Sequence, residues 1–370
     1  MDIDFINDLL REPLYELPSP IRQMRLLTML QEICTYHMEQ CRPYRKLCNK
    51  RNVNPEEFKT LADIPYLPAS LFKDALLLSI PEDQVFRELR SSATSSGRPS
   101  RIGLDRDNNR RWTVSMQRML MERMGDERLR MLVLDEPGVL TRSEIVPARA
   151  SMTRSLLFTA SEVDTCIMKE EGLLRLDIEK LESFLDTSPQ GKGAMIFGFT
   201  FILGLQVLKP LLAAGRRFDL PNLKIIHAGG WKKMQELSVT PEQLIADCVE
   251  CFGVKPENVI DLYGFSEQGG LLFPTCEWGV RHTPAWSEVI CRDPLTLEPL
   301  PSGKEGIMQF LTPIQTSYPG HSIITEDVGV IHGYDECPCG RMGTTFSIHG
   351  RAHDASEERG CGDIMAELFA

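Results

Sequence analysis

The sequence predicts an α/β fold, with sheets flanked by helices and a small β-rich subdomain after them, and three observations carry that reading. Short apolar runs at 130–135, 194–197, 223–227 and 259–262 have the length and composition of buried strands. Helical periodicity at 173–185, 201–214 and 241–252 separates them, and such alternation builds largely parallel sheets. After about residue 285 the texture changes to shorter strands at 287–291, 306–311 and 328–332, punctuated by Pro294, Pro301-Ser302-Gly303 and Pro319-Gly320.

Taken in chain order, residues 1–90 read as a helical cap. Over 26–38, Leu26, Leu27, Leu30, Ile33 and Cys34 recur at helical spacing on one face. Pro65, Pro68 and Ser70 interrupt the pattern before a short helix near Phe72. Residues 91–285 form the α/β core, which includes a further helix over 111–124, and residues 286–350 the β-rich subdomain. The charged, Gly-containing residues 351–370 are expected to be a short mobile tail.

Composition narrows the function classes. The chain has 370 residues, 42% of them hydrophobic, enough for a sizeable core. A net charge of -11 argues against nucleic acid as a partner, because binding a phosphate backbone needs a basic face. An anionic substrate would need a locally positive pocket. No run approaches the ~20 apolar residues that span a bilayer, and Met1-Asp2-Ile3-Asp4 lacks the basic start of a secretory signal, so a cytoplasmic protein with no membrane span is expected. Eleven cysteines, an odd number spread along the chain, suit thiol chemistry or metal ligation better than a disulfide framework.

Four segments carry candidate chemistry. Ser91-Ser92-Ala93-Thr94-Ser95-Ser96-Gly97-Arg98-Pro99-Ser100 crowds hydroxyls beside a glycine, which suits a phosphate-cradling loop and equally a flexible surface loop. Asp261-Leu262-Tyr263-Gly264-Phe265-Ser266-Glu267 ends a β-type run with a hydroxyl next to a carboxylate, hard oxygen donors that suit Mg2+. Thr325-Glu326-Asp327 places an acidic pair at the junction of two apolar strands, where a carboxylate could accept from ribose hydroxyls. Gly350-Arg351 offers a guanidinium for phosphate or ribose. Each alone also reads as a solvated turn, and their order is the informative feature.

In that order the segments resemble the core motifs of the adenylate-forming (ANL) superfamily. The run from Gly303 to Asp354, with Cys337-Pro338-Cys339-Gly340-Arg341, is similar to phenylacetate-CoA ligase-type enzymes. The length, His227-Ala228-Gly229-Gly230-Trp231-Lys232 and Arg359-Gly360-Cys361 more closely resemble the bacterial acyl-protein synthetase (LuxE-type) family. The resemblance implies the superfamily's large N-terminal domain and ATP-dependent activation of a carboxylic acid, a fatty acid foremost, as an acyl-adenylate, with transfer to a thiol. It implies that Ser92, Thr94, Ser95, Ser96 and Gly97 hold the phosphates, that Tyr263, Gly264 and Ser266 line the nucleotide site, that Glu267 binds Mg2+ and that Asp327 binds the ribose. Arg351 joins them at the Gly-Arg hinge; Gly229 and Gly230 allow close approach of the nucleotide or acyl chain, and Phe197, Gly198, Phe199 and Ala228 border the carboxylate pocket.

Two departures stand out. Many superfamily members end the phosphate loop on lysine, whereas Ser100 and Arg101 stand here, leaving Arg98, Arg101 or Lys232 to neutralise phosphate. The sequence ends nineteen residues after Arg351, so the usual C-terminal domain is expected to be absent. Cys361, flanked by Gly360 and Gly362, suits a thiol that attacks the adenylate and stores the acyl group for an acceptor protein such as a reductase, a transferase or a carrier. The competing readings are an acyl- or aryl-CoA or carrier-protein ligase and a non-catalytic acid- or nucleotide-binding subunit. Separately, Cys276, His282, Cys337 and Cys339, with Cys291 as a substitute, have the donor types of a structural Zn2+ site.

Overall fold

The computed structural model describes residues 3–90, 99–140, 148–170, 173–231 and 236–351, which fall into two compact units. The first unit contains residues 1–119, 264–273 and 280–370, and the second residues 120–263 and 274–279.

The first unit is helical at its start. Helix Ser19–Gln40 buries Leu26, Met29, Leu30, Ile33, Cys34 and His37, the three-and-four spacing of a core-facing stripe. Its N-terminus is held from far along the chain, because Asp335 accepts from the Ser19 backbone N–H at 2.7 Å and from its hydroxyl at 2.8 Å. One turn on, the buried Arg22 meets Glu288 at 2.8 Å and donates to the Thr283 carbonyl at 3.2 Å. The unit's sheet is antiparallel, ordered Arg281–His282, Thr344–Arg351, Ser322–Tyr334, Glu305–Leu311, Glu288–Arg292. Leu67–Pro68 adds a short parallel pairing to Ser322–Tyr334. Phe273, Phe310 and Phe346 pack edge-on or tilted in its core.

The second unit is built on five parallel strands in the order Ala160–Thr165, Leu129–Val133, Ala194–Phe199, Lys224–Ala228, Val259–Tyr263. In chain sequence this is the order 2-1-3-4-5, a doubly wound arrangement that binds ligands outside the carboxyl ends of its strands. Ala194–Phe199 is buried at every residue, as a strand covered on both faces must be. Helix Pro241–Phe252 begins where the Thr240 hydroxyl accepts from the Gln243 N–H and ends at Gly253, whose φ of 62° places it in the left-handed region. The matching core joins Ile196, Ile225, Leu244, Cys248 and Phe252.

Three details depart from the sequence reading. The run 173–185 is not one helix: Leu173–Leu176 pairs antiparallel with Ile167–Glu170, and helix Ile178–Asp186 starts only where Asp177 accepts from the Lys180 N–H. The run 201–214 is helical but contains a π-helical stretch at Leu203–Leu208. Thr325-Glu326-Asp327 is not a junction of two strands but lies within the single strand Ser322–Tyr334, which a bulge carries past Gly329.

Candidate active site

Within the first unit, the strands Arg87–Arg90 and Arg101–Leu104 pair as a hairpin on either side of the hydroxyl-rich segment. Ser92, Thr94, Ser95, Ser96 and Gly97 themselves lie outside the described residues, as do Arg98, Lys232 and Cys361. Ser100, where a lysine was expected, is buried, and its hydroxyl donates to Glu267 Oε1 at 2.5 Å. Arg101 lies on the exposed side and engages Glu88 through two hydrogen bonds of 3.0 Å.

Glu267 sits in the short 3-10 turn Ser266–Gln268 and is only 7% exposed. Burial pushes its carboxyl above the usual range, the Ser100 hydroxyl works against that, and Asp327 adds to the rise. The turn is fixed from behind: Tyr318 donates to the Glu267 carbonyl at 2.5 Å, and the Gln268 amide donates to the carbonyls of Phe310 at 3.1 Å and Gly320 at 2.8 Å. Asp327, half-buried, pairs with the Arg351 Nε at 3.4 Å, and the two residues face each other across neighbouring strands. Ser100, Glu267, Asp327 and Arg351 thus belong to one unit and one electrostatic neighbourhood. Its donors are carboxylate and hydroxyl oxygens, a hard set that fits Mg2+. Gly264 has a packing reason of its own, since a Cβ there would approach Leu272 Cδ2 to 2.7 Å.

The second unit gathers its candidates at strand ends. Phe197 is fully buried, and its ring meets Phe199 edge-on with centroids 6.2 Å apart. Gly198 is also a packing requirement, because a Cβ would meet Leu134 Cβ at 2.7 Å. Ala228 ends its strand buried; Gly229 follows with φ of 69°, and a Cβ on Gly230 would meet nothing within 4 Å. The backbone at Gly230 is therefore open to close approach. Tyr263, half-buried, ends the next strand. One constellation here escaped the motif reading. His227 Nδ1 lies 3.0 Å from the Thr200 hydroxyl and 3.6 Å from Asp261 Oδ1. Both neighbours come from elements beside its strand, and the detectable signal was parallel register, which sets Gly198 and Asp261 opposite His227.

Of the expected metal ligands, His282, Cys337 and Cys339 lie together in the first unit, with ligand atoms within 4.8 Å of one another and Cys339 Sγ 3.3 Å from His282 Nε2, whereas Cys276 belongs to the second unit. Two thiols and an imidazole are a soft donor set that fits Zn2+ and not Mg2+. A tight turn presents the two thiols, closed by the Gly340 N–H on the Cys337 carbonyl at 3.0 Å. Cys291 is not in the group: its thiol donates to the carbonyls of Lys304 and Gly329 at 3.4 and 3.6 Å.

With this geometry in view, solved structures define the class by fold. Two structures of 2-hydroxyisobutyryl-CoA ligase, one in the postadenylation state with 2-HIB-AMP and one in an open conformation with 2-HIB-AMP and CoA, superpose with TM-scores of 0.69 and 0.68. Identity is 18% and 20%; the matches cover 92% and 94% of this chain and 70% and 78% of those chains. The fold is that of the adenylate-forming ligases. Over residues 10–370 the sequence matches the family model described as acyl-protein synthetase, LuxE, and the chain belongs to that family of ligases. It is 28% identical over 349 residues to the long-chain-fatty-acid–luciferin-component ligase of Vibrio harveyi, covering 90% of this chain and 85% of that one. The ligase of the same name from Aliivibrio fischeri is 25% identical over 354 residues, covering 92% and 88%. No described helix is long and apolar enough to cross a membrane.

Proposed function

We propose that this protein uses ATP to activate a long-chain fatty acid as an acyl-adenylate and passes the acyl group to a thiol, first that of Cys361 and then that of an acceptor protein in the cytoplasm. The observation that carries the reading is the buried Ser100–Glu267 pair beside Asp327 and Arg351, in a chain whose relatives are named as ligases of a long-chain fatty acid and a luciferin component. In this reading residues 1–350 act as the adenylate-forming domain and 351–370 as the tail that brings Cys361. Ser92, Thr94, Ser95, Ser96 and Gly97 grip phosphate oxygens, while Tyr263, Gly264, Ser266 and Asp327 hold adenine and ribose. Phe197, Gly198, Phe199 and Ala228 shape the acid's approach, and Gly229 and Gly230 leave room for it.

Glu267, with the hydroxyls of Ser100 and Ser266, would hold Mg2+, whose charge offsets that of the phosphates. Zn2+ at His282, Cys337 and Cys339 would pin the turn-rich region. Metal analysis of the purified protein supports that assignment at one zinc per chain, lost in Cys337→Ser together with thermal stability; absence of zinc from the wild type would overturn it.

The test of function is the intact mass of the protein after incubation with ATP and hexadecanoic acid. A hydroxylamine-labile acyl adduct, absent from Cys361→Ser while adenylate formation continues, is the expected result. Thioester formed only on added coenzyme A would favour an acyl-CoA ligase, and ATP binding without any adenylate would favour a non-catalytic subunit.

A further inference from the structure

Two neighbouring strands of the first unit, Ser322–Tyr334 and Thr344–Arg351, carry histidines that no step of the proposed reaction uses. The ladder between them skips His332, between Ile331 and Gly333, and His349, between Ile348 and Gly350, so each histidine is the extra residue of a bulge. A bulge re-aims the side chain it adds, and these two converge on one point. His332 Nε2 and His349 Nε2 each lie 2.9 Å from the Ser347 hydroxyl.

His349 Nδ1 stands 2.7 Å from Oε2 of Glu305, the first residue of the next strand, Glu305–Leu311. A carboxylate oxygen only accepts, so Nδ1 carries hydrogen and the neutral ring turns its Nε2 lone pair toward Ser347. The hydroxyl has one proton, which that lone pair takes, and Ser347 Oγ then accepts the N–H of His332. A nucleophilic serine is poorly served by this, because the second imidazole occupies its oxygen with a donor. A metal ion is served well. Histidines that ligate metals commonly hand their other ring N–H to a carboxylate, which fixes the ring and makes its lone pair more basic, and Glu305 does this for His349. Partial burial, and after it the neighbouring His349, hold His332 below the usual histidine range, so its ring is neutral near pH 7. Moving its hydrogen to Nδ1 frees a second lone pair at the same point. His332, His349 and Glu305 are all exposed, so an ion can enter from solvent.

We infer that His332 and His349 bind one divalent ion of the late first transition row, Ni2+, Cu2+ or Zn2+, with Glu305 as the positioning residue of His349. Two imidazole nitrogens completed by water suit these ions, whereas Mg2+ and Ca2+ take oxygen ligands. Metal–nitrogen bonds of about 2.0–2.1 Å require the rings to close on the point that Ser347 Oγ holds, a rotation open to two exposed side chains. The ion would join strand Ser322–Tyr334 to strand Thr344–Arg351, the pair that bears Asp327 and Arg351. The site shares no residue with His282, Cys337 and Cys339, and it does not depend on the proposed reaction.

The test is calorimetric titration of the full chain, free of any affinity tag, with NiCl2 near neutral pH, alongside thermal melting with and without the ion. Wild type is expected to bind one Ni2+ that Cys337→Ser retains, and to melt at a higher temperature with it. His332→Gln and His349→Gln, both at exposed positions, should melt like wild type without the ion and lose this Ni2+ together with the rise in melting temperature. Glu305→Gln keeps both ligands and should weaken binding about tenfold, the scale for losing the carboxylate behind a ligating histidine. Ni2+ held equally by wild type and both histidine variants would overturn the site and mark an adventitious ion only. Loss in one histidine variant and not the other would overturn the shared ligation. Ni2+ kept by both histidine variants and lost from Cys337→Ser would assign the ion to the thiols and overturn the inference, as would a wild type that binds none.

Discussion

The two sheets hold their chemistry in different places. In the second unit the strand Ala194–Phe199 is apolar throughout and Thr200 follows its carboxyl end, with His227 next to the end of the neighbouring strand and Asp261 set opposite His227 by register. In the first unit the antiparallel strands carry charge along their length, so Asp327 lies within Ser322–Tyr334, paired across the ladder with Arg351. The contrast teaches that a strand-end site is shaped by backbone register, whereas a mid-strand site depends on which residues the ladder sets opposite. The first kind should be sensitive to packing beneath it and the second to electrostatics.

The largest expected effect lies in the first unit. Glu267→Gln should lower fatty-acid-dependent pyrophosphate exchange by about a hundredfold or more, the scale for losing a central electrostatic group. The same change should raise the melting temperature of the ATP-free protein. The folded state holds this carboxyl above its usual range, so its stabilising contribution is complete at low pH and is lost as pH rises through the folded value, and at neutral pH the buried charge is a burden. Gly198→Ala probes the second unit by packing alone: the added Cβ meets Leu134 at 2.7 Å, and unfolding should become easier by about 1–3 kcal/mol.

His37 brings titration into the comparison. It is fully buried in the first unit, bonded to Ser79 Oγ at 2.7 Å and the Gln315 carbonyl at 3.0 Å, and burial depresses its pKa to about 3. The unfolded chain therefore takes up a proton that the folded one refuses. Stability is full above the ordinary histidine range and falls as pH drops toward about 3, with a loss of about 2 kcal/mol already reached at pH 5. Denaturant unfolding of His37→Gln should show a pH 5 to pH 7.5 difference smaller than wild type by about that amount. Arg351→Ala is the mildest case: its side chain is 58% exposed, and removing its pairing with Asp327 should cost under about 1 kcal/mol of stability.

Much of the parallel sheet was legible because buried strands announce themselves as short apolar runs, while the family's motifs marked Glu267 and Asp327 as candidates and donor type alone singled out the zinc-type ligands. What the sequence could not reveal was partnership. Ser100 looked like a missing lysine, but its meaning lies in a hydrogen bond to a residue 167 positions away. His227 and Asp261 were visible inside motifs without a role, because parallel register, not spacing along the chain, brings them together. Leu173–Leu176 was absorbed into a helix because a short apolar run fits either period until an edge partner, here Ile167–Glu170, selects the strand. Asp327 was placed at a strand junction because charge inside a long antiparallel strand looks like an interruption.

The most direct test of the central claim is ATP–pyrophosphate exchange by the purified full chain with hexadecanoic acid. The account predicts exchange that requires both the acid and Mg2+, survives Cys361→Ser and collapses in Glu267→Gln. ATP binding with no exchange for any chain length of fatty acid, or exchange indifferent to Glu267, would contradict it.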